Sequence, residues 1–275
     1  MAVQHLVDVH GLSILKACAC VGLTRAAWYR PAVDWRVRDQ PIIEALLRLS
    51  EHKPGLGFWK LFGRLRRQGH RWNHKRVYRV YCALNLNLRR KAKKRIPARD
   101  PMPLVVPAKP NQVWSADFMS DSLYDGTRFR TFNVLEDFNR EALAIEIDTS
   151  LTGERLIRVF EQLQAQRGLP DILRVDNGPE FLGTTFSEWC AAHGIFIDYI
   201  EPGKPNQNAL IERFNRTYRT EVLNTWLFAN LEEVREITWA WMLEYNEERD
   251  HDSLGGLTPA EVLQLANVST FELST

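Results

Sequence analysis

Three acidic residues, far apart in the chain, stand where they could share one task. Asp117 lies inside "WSADFM", flanked by Trp114, Ala116, Phe118 and Met119. A charge among such neighbours costs several kcal/mol unless something compensates it. Asp176 follows the apolar run of "DILRVDNGPEF", where the chain stops abruptly at Asn177-Gly178-Pro179. Glu212 belongs to "NQNALIERFNRTYR", on the flank of a stripe formed by Ile211, Phe214, Tyr218 and Val222. Three converging carboxylates repel one another without a counter-ion, and hard oxygen ligands of this kind suit Mg²⁺ or Mn²⁺. Two such ions, about 3.5–4 Å apart, serve an in-line phosphoryl transfer. Each acid also has a plainer role. Asp176-Asn177-Gly178 alone is turn chemistry, and Glu212 alone is an i,i+4 partner for Arg216. Asp117 is harder to dismiss, because strands disfavour Asp. Asp121, Glu136, Asp137 and Glu201 occupy turn-like contexts and are expected to be solvated.

The elements that must position these acids follow from periodicity. "QVWSADFM", "RFRTFNVLED" and "EALAIEID" read as three strands, with turns at "YDG" and "DFNR". "GERLIRVFEQLQAQRG" is an amphipathic helix, "DILRVDNG" a fourth strand, "FLGTTFSEWCAAHG" a second helix and "IFIDYI" a fifth strand. "NQNALIERFNRTYRTEVLNTWL" reads as one long helix, with another over "LEEVREITWAWMLEYNEER". This order predicts an α/β fold: an RNase H-like mixed five-stranded sheet with flanking helices. Asp117 then sits inside the first strand and Asp176 at the carboxyl end of the fourth, an edge where α/β sheets place ligands. Glu212 is held beside the sheet, with Arg216 and Arg219 along the same side of its helix.

A different composition precedes this sheet. From His52 to Arg99 there are 16 Lys and Arg and no Asp or Glu, which leaves 20 of the 36 cations against all 34 acids elsewhere. A solvated helical face would interleave acids for i,i+4 pairing, so the block suits a polyanion such as nucleic acid. Residues 11–30 read as helix, turn, helix, with Thr24 as a cap. Residues 36–51 form a further helix, and two short basic helices follow, the second capped at Asn73 with Val77, Val80, Tyr81 and Leu84 inward. Lys75, Arg76 and Arg79 face elsewhere and are candidate DNA contacts, as are Arg89, Arg90 and Lys204. "RRKAKKR" then passes into five prolines between Pro97 and Pro110, an extended linker. The expected organisation is an N-terminal helical segment (1–34), a small all-α, basic helix-turn-helix-like module (35–96), a linker (97–110), a catalytic core with C-terminal helices (111–268) and a tail (269–275).

Composition excludes several classes. Hydrophobic content of 45% and 25% charged residues describe an ordinary globular chain. No apolar run is long enough to span a membrane, and the first twenty residues lack a signal peptide's basic start; a cytoplasmic location is expected. Cys18, Cys20, Cys82 and Cys190 lack zinc-site spacing and are expected to be buried thiols. There is no Gly-x-Ser-x-Gly and no P-loop.

"WSADF", "RVDNGPEF" and "QNALIERFNRTYR" resemble the three catalytic blocks of the DDE transposase and retroviral integrase superfamily. Between Asp176 and Glu212 lie 35 residues, as in the integrase-like branch, and Arg219 matches the basic residue seven positions past its Glu. "PGKPNQN", "EYNEERDHDSLGGLTPAE" and "GHRWNHKRVYRVY" resemble the second-frame (OrfB) products of bacterial insertion sequences encoded in two overlapping frames. The resemblance spans about Leu12 to Leu265. It departs in two places: the group usually has Arg-Pro-His where Arg249-Asp250-His251 stands, and Tyr-Gly-Tyr-Arg where Gly57-Phe58-Trp59-Lys60 stands.

What the resemblance implies is a metal-dependent DNA strand transferase, with two Mg²⁺ or Mn²⁺ held by Asp117, Asp176 and Glu212. End nicking by water would free a 3′-hydroxyl, which attacks a phosphodiester without a covalent protein–DNA intermediate. Its implied partners are the element's terminal inverted repeats, target DNA, further copies of the chain on DNA, and an upstream-frame helix-turn-helix protein or a fusion with it. Two alternatives remain open: a nuclease of the same fold that only hydrolyses, and a catalytically silent DNA-binding remnant of a mobile element.

Overall fold

The computed structural model describes residues 2–30, 34–88, 107–201 and 208–272. Arg89, Arg90, Lys204 and most of the expected linker lie outside the described residues.

Side-chain caps set most helix starts in the basic third of the chain. α1 (Ala2–His10) is followed by α2 (Ile14–Cys20), whose Lys16 amide donates to the Ser13 hydroxyl oxygen as cap, and by α3 (Arg25–Trp28), capped by Thr24 as expected. α4 (Trp35–His52) is capped by Asp34, and α6 (His74–Ala83) by Asn73; α5 (Phe58–Arg67) lies between them. Ile42 and Leu46 of α4, Leu61 and Leu65 of α5, and Val77, Val80 and Tyr81 of α6 close a core of their own. Each fully buried side chain of this size contributes about 1.5–3 kcal/mol. Cys18 and Cys190 are buried, but Cys20 is exposed, contrary to expectation, because α2 turns it away from the small cluster around Val3 and Ala17.

Alternation along one strand decides the layers of the remainder. β1 (Val113–Ser122) turns Trp114, Ala116 and Phe118 to one face and Ser115, Asp117 and Met119 to the other. β2 (Arg128–Glu136) and β3 (Ala142–Asp148) extend it as an antiparallel meander. β4 (Ile172–Val175) and β5 (Phe196–Tyr199) pair parallel, in the order β3-β2-β1-β4-β5. The crossovers that parallel pairing requires are α7 (Gly153–Arg167), α8 (Pro179–Leu182) and α9 (Thr184–Ala192). They bury Phe160, Phe181 and Phe186 against the even-numbered face of β1. α10 (Ala209–Tyr218) and α11 (Leu231–Glu247) cover the opposite face with Phe214, Tyr218 and Trp241, and α12 (Pro259–Glu272) follows. This is the mixed α/β architecture expected from the order of elements. The long helix expected through Leu227 instead ends at Tyr218 and passes into one π-turn, Arg219–Leu223.

The basic block does have counter-charges, but they come from far along the chain. Asp39, 3% exposed, takes Arg76 Nε at 2.8 Å and is paired with Arg79 as well. On α5, Lys60 reaches Asp250 at 3.2 Å, Arg64 pairs with Glu244, and Arg67 reaches Glu261 at 3.4 Å. Lys53 joins Glu244 from the end of α4 at 2.5 Å. Spacing within one helix could not reveal these pairs; contrary to expectation the block is partly neutralised, and one of its faces binds the core. The two departures from the resembled pattern, Lys60 and Asp250, meet each other in this junction. Among the described residues no helix is long and apolar enough to cross a membrane.

Candidate active site

Parallel register brings two of the acids together. Ser115 on β1 lies opposite Arg174 on β4. Two residues further along each chain are Asp117 and Asp176, on the same face, across a strand spacing of about 4.8 Å. α10 lies over that face, tied down by an amide relay. Asn133 Nδ2 donates to Asn215 Oδ1 at 2.7 Å, and Asn215 Nδ2 donates to Asp117 Oδ2 at 2.7 Å. Glu212 stands one turn before Asn215, on the same flank of the helix. Both asparagines are buried. Helical or strand spacing does not disclose their pairing, although an Asn in the middle of "RTFNVLE" is itself unfavourable in a strand.

Electrostatics couple the three acids. Burial pushes the Asp117 carboxyl up to about 6, and the negative charges of Asp176 and Glu212 add to that rise. The Phe118 amide, donating to Asp117 Oδ1 at 2.8 Å, and Asn215 work against it. Among the described residues none of the three carboxylates is ion-paired. The neighbouring cations are engaged elsewhere: Arg130 with Glu180, and Arg219 with Asp121 Oδ2 at 3.1 Å and the Ser120 carbonyl at 2.9 Å. Asp176 Oδ1 accepts from the Gly178 amide at 3.0 Å. A Cβ at Gly178 would fall 2.9 Å from that oxygen, so the glycine lets the turn leave without crowding the carboxylate.

The side chains do not close a cage. Among the described residues no three acids, histidines or cysteines stand close enough together to hold a metal ion. Glu212, expected beside the sheet, is exposed. Exposed side chains change rotamer in ps–ns, so the α10 backbone rather than one rotamer sets its reach. An all-carboxylate donor set with unbalanced charge fits a hard divalent cation.

The other expected residues distribute unevenly. Arg216 and Lys75 are exposed, whereas Arg76 and Arg79 hold Asp39, and Arg219 anchors α10 to β1 at the start of the π-turn. Glu136 and Asp137, expected to be solvated, are fully buried. Glu136 accepts from the Trp114 indole at 3.0 Å and the Asn111 amide at 2.7 Å. Asp137 accepts from Ser115 Oγ at 2.7 Å and Arg174 at 3.2 Å. They brace the β2–β3 turn from inside, and burial raises both carboxyls, Asp137 to about 6.

Comparison with known proteins gives a consistent set of likenesses. Residues 107–205 and 193–259 match models of the integrase core domain, and residues 37–94 a model of an HTH-like domain. The uncharacterized 31.7 kDa protein of insertion element IS407 from Burkholderia multivorans is 35% identical over 250 residues, covering 91% of this chain and 90% of the relative. The transposase of insertion sequence element IS629 from Shigella sonnei is 26% identical, over 57% of this chain and 53% of its own length. Among solved structures, the HTLV-2 integrase catalytic core domain in complex with magnesium aligns with a TM-score of 0.43 at 21% identity, over 56% of this chain and 97% of that one.

Proposed function

The chain belongs to the insertion-element transposases that combine an HTH-like domain with an integrase core domain, and on that premise we propose that it cuts and joins DNA at Asp117, Asp176 and Glu212. The observation that carries this reading is the charge coupling of Asp117 to two other unpaired acids on one face of the sheet. These three side chains would hold Mg²⁺ or Mn²⁺, two ions in the working site. Bound there, the metal supplies positive charge at the attacking and leaving oxygens of a phosphoryl transfer.

The chain's own residues prepare the place. The Asn133–Asn215 relay fixes α10, and so Glu212, relative to Asp117. The Phe118 amide holds the second Asp117 oxygen, and Gly178 keeps the Asp176 side open. Arg216, exposed on the same helix, is placed to meet a phosphate backbone. In the helical module Lys75 is exposed and has no carboxylate partner among the described residues, and would grip DNA, while Arg76 and Arg79 fix α4 to α6 through Asp39. Terminal inverted repeats and target DNA are the substrates, bound by several copies of the chain, together with the upstream-frame product or fused to it.

The experiment uses the full chain, alone and fused to the upstream-frame product, on a labelled terminal-repeat duplex with Mg²⁺. Asp117→Asn, Asp176→Asn and Glu212→Gln should each abolish nicking and joining while leaving duplex binding nearly unchanged. Wild-type levels of both products in any of the three would overturn the assignment. Nicked but never joined products from the wild-type fusion would point to a hydrolase.

A further inference from the structure

Where the helical module meets the core, a cavity of about 170 Å³ collects positive charge. Its walls include Lys60 from α5, Arg140 from the β2–β3 turn, Arg213 from α10, and Arg249 and His251 beyond α11. Arg140 is the unusual member. Its side chain is buried, at 8% exposure, and neither Nε nor Nη1 has a hydrogen-bond partner. His251 Nε2 is likewise buried without a partner. Arg140 also sits at φ 62°, a left-handed backbone that non-glycine residues rarely adopt. A buried, unpaired guanidinium on a strained backbone is a costly arrangement, and such features gather at functional sites.

The acids nearby are already committed. Asp137 is held by Ser115 and Arg174, and Glu136 by Trp114, Asn111 and Arg167. Glu221 takes Arg249 at 2.6 Å, while Asp250 and Asp252, which also line the cavity, take Lys60 at 3.2 and 3.5 Å. Arg140 and Arg213 have no carboxylate partner among the described residues. The space is smaller than the roughly 300–1,000 Å³ of ordinary ligand pockets, so it has room for a phosphate group but not for the sugar and base of a nucleotide.

We propose that this cavity binds a phosphate group, gripped by the unpartnered nitrogens of Arg140 and neutralised by Arg213. A tetrahedral oxyanion supplies the acceptors that Arg140 lacks, and charge-assisted hydrogen bonds of this kind are the strong ones. Because Lys60 comes from the helical module and the other walls from the core, an occupied cavity ties the two together. The phosphate is either a free ion or the 5′-terminal phosphate of a DNA strand; both present the same chemistry to the cavity. The site lies on the α10 face carrying Leu210, Arg213 and Thr217, and it stands independently of the acids proposed for catalysis.

The test is calorimetric titration of the full chain, with ionic strength matched by sodium chloride. Inorganic phosphate is one probe; a 5′-phosphorylated oligonucleotide, set against its 5′-hydroxyl twin, is the other. Arg140→Gln and Arg213→Gln should each weaken the phosphate-dependent binding about tenfold. If Arg140→Gln fails to fold by circular dichroism, Arg213→Gln on the exposed helix flank decides. Saturable binding of inorganic phosphate that both variants lose assigns a free ion. A preference for the phosphorylated strand that both variants lose assigns a strand end. No saturable binding of either probe, or equal binding by the variants, overturns the proposal and leaves ordered water in the cavity.

Discussion

Two regions of the molecule carry dense charge and treat it differently. At the carboxyl end of β4, the negative charges of Asp176 and Glu212 add to the raised proton affinity of buried Asp117, and no cation is paired with the three among the described residues. At the junction of module and core, Lys53, Arg64, Lys60 and Arg67 each meet an acid from α11 or the segment beyond it. Matched charge holds architecture together. Unmatched charge is stable only if something outside the chain completes it.

Breaking the unmatched set should have the largest effect. Substituting any one of the three acids by its amide should lower strand cleavage by at least about a thousandfold, measured by gel assay, since preorganised charge at the reacting oxygens is usually the largest catalytic contribution. A mutant with a tenth of wild-type activity would place the chemistry elsewhere. Next comes the matched set. Glu244→Lys confronts Lys53 and Arg64 with a like charge and should lower Tm by about 5 °C, with Arg64→Glu in the same chain restoring part of it. A double variant no more stable than the single one would mean that the pairing does not hold the junction.

The amide relay belongs to the unmatched side and sharpens the contrast. Asn215→Ala leaves a buried Asn133 amide without its acceptor and should cost about 1–3 kcal/mol in denaturant unfolding. Because Glu212 depends on the same anchor, cleavage should fall further than stability alone explains. Unchanged turnover at unchanged metal dependence would remove Asn215 from the site's positioning.

The smallest effect expected is that of pH. Burial, with Arg249 and Lys60 nearby, lowers the His251 imidazole to about 3. A folded-state pKa below the unfolded value near 6.5 means that the contribution is fully present above pH 6.5 and is lost as pH falls toward 3. Between pH 6.5 and 5 the His251 contribution alone falls by about 1.5 kcal/mol. Asp117 and Asp137, pushed up to about 6, act with the opposite sign. The readout is therefore the difference between wild-type and His251→Gln stability profiles. Parallel profiles would show that His251 is free to protonate.

The sequence makes local and periodic features plain and conceals pairings between distant segments. Strand alternation around Asp117, the caps at Thr24 and Asn73, and the Ile211–Phe214–Tyr218 stripe are all local, and all of them could be read. The partners of Arg64 and Arg76 lie 180 and 37 residues away, so no helical spacing could disclose them. Glu136 and Asp137 follow "TFNVL" into a hairpin turn, where acids are normally solvated, yet this turn is packed beneath Trp114 and Arg174. The break at Arg219 had no glycine or proline to announce it. It follows from the tertiary anchoring of Arg219 to Asp121 and Ser120, and π-turns within helices recur at functional sites.

The most direct test of the central claim needs no DNA. Mn²⁺ titrated into the full chain and followed by electron paramagnetic resonance should bind saturably in the wild type, and lose that binding in Asp117→Asn, Asp176→Asn and Glu212→Gln alike. Binding that survives in any one of these variants at wild-type affinity would show that the three acids do not share an ion.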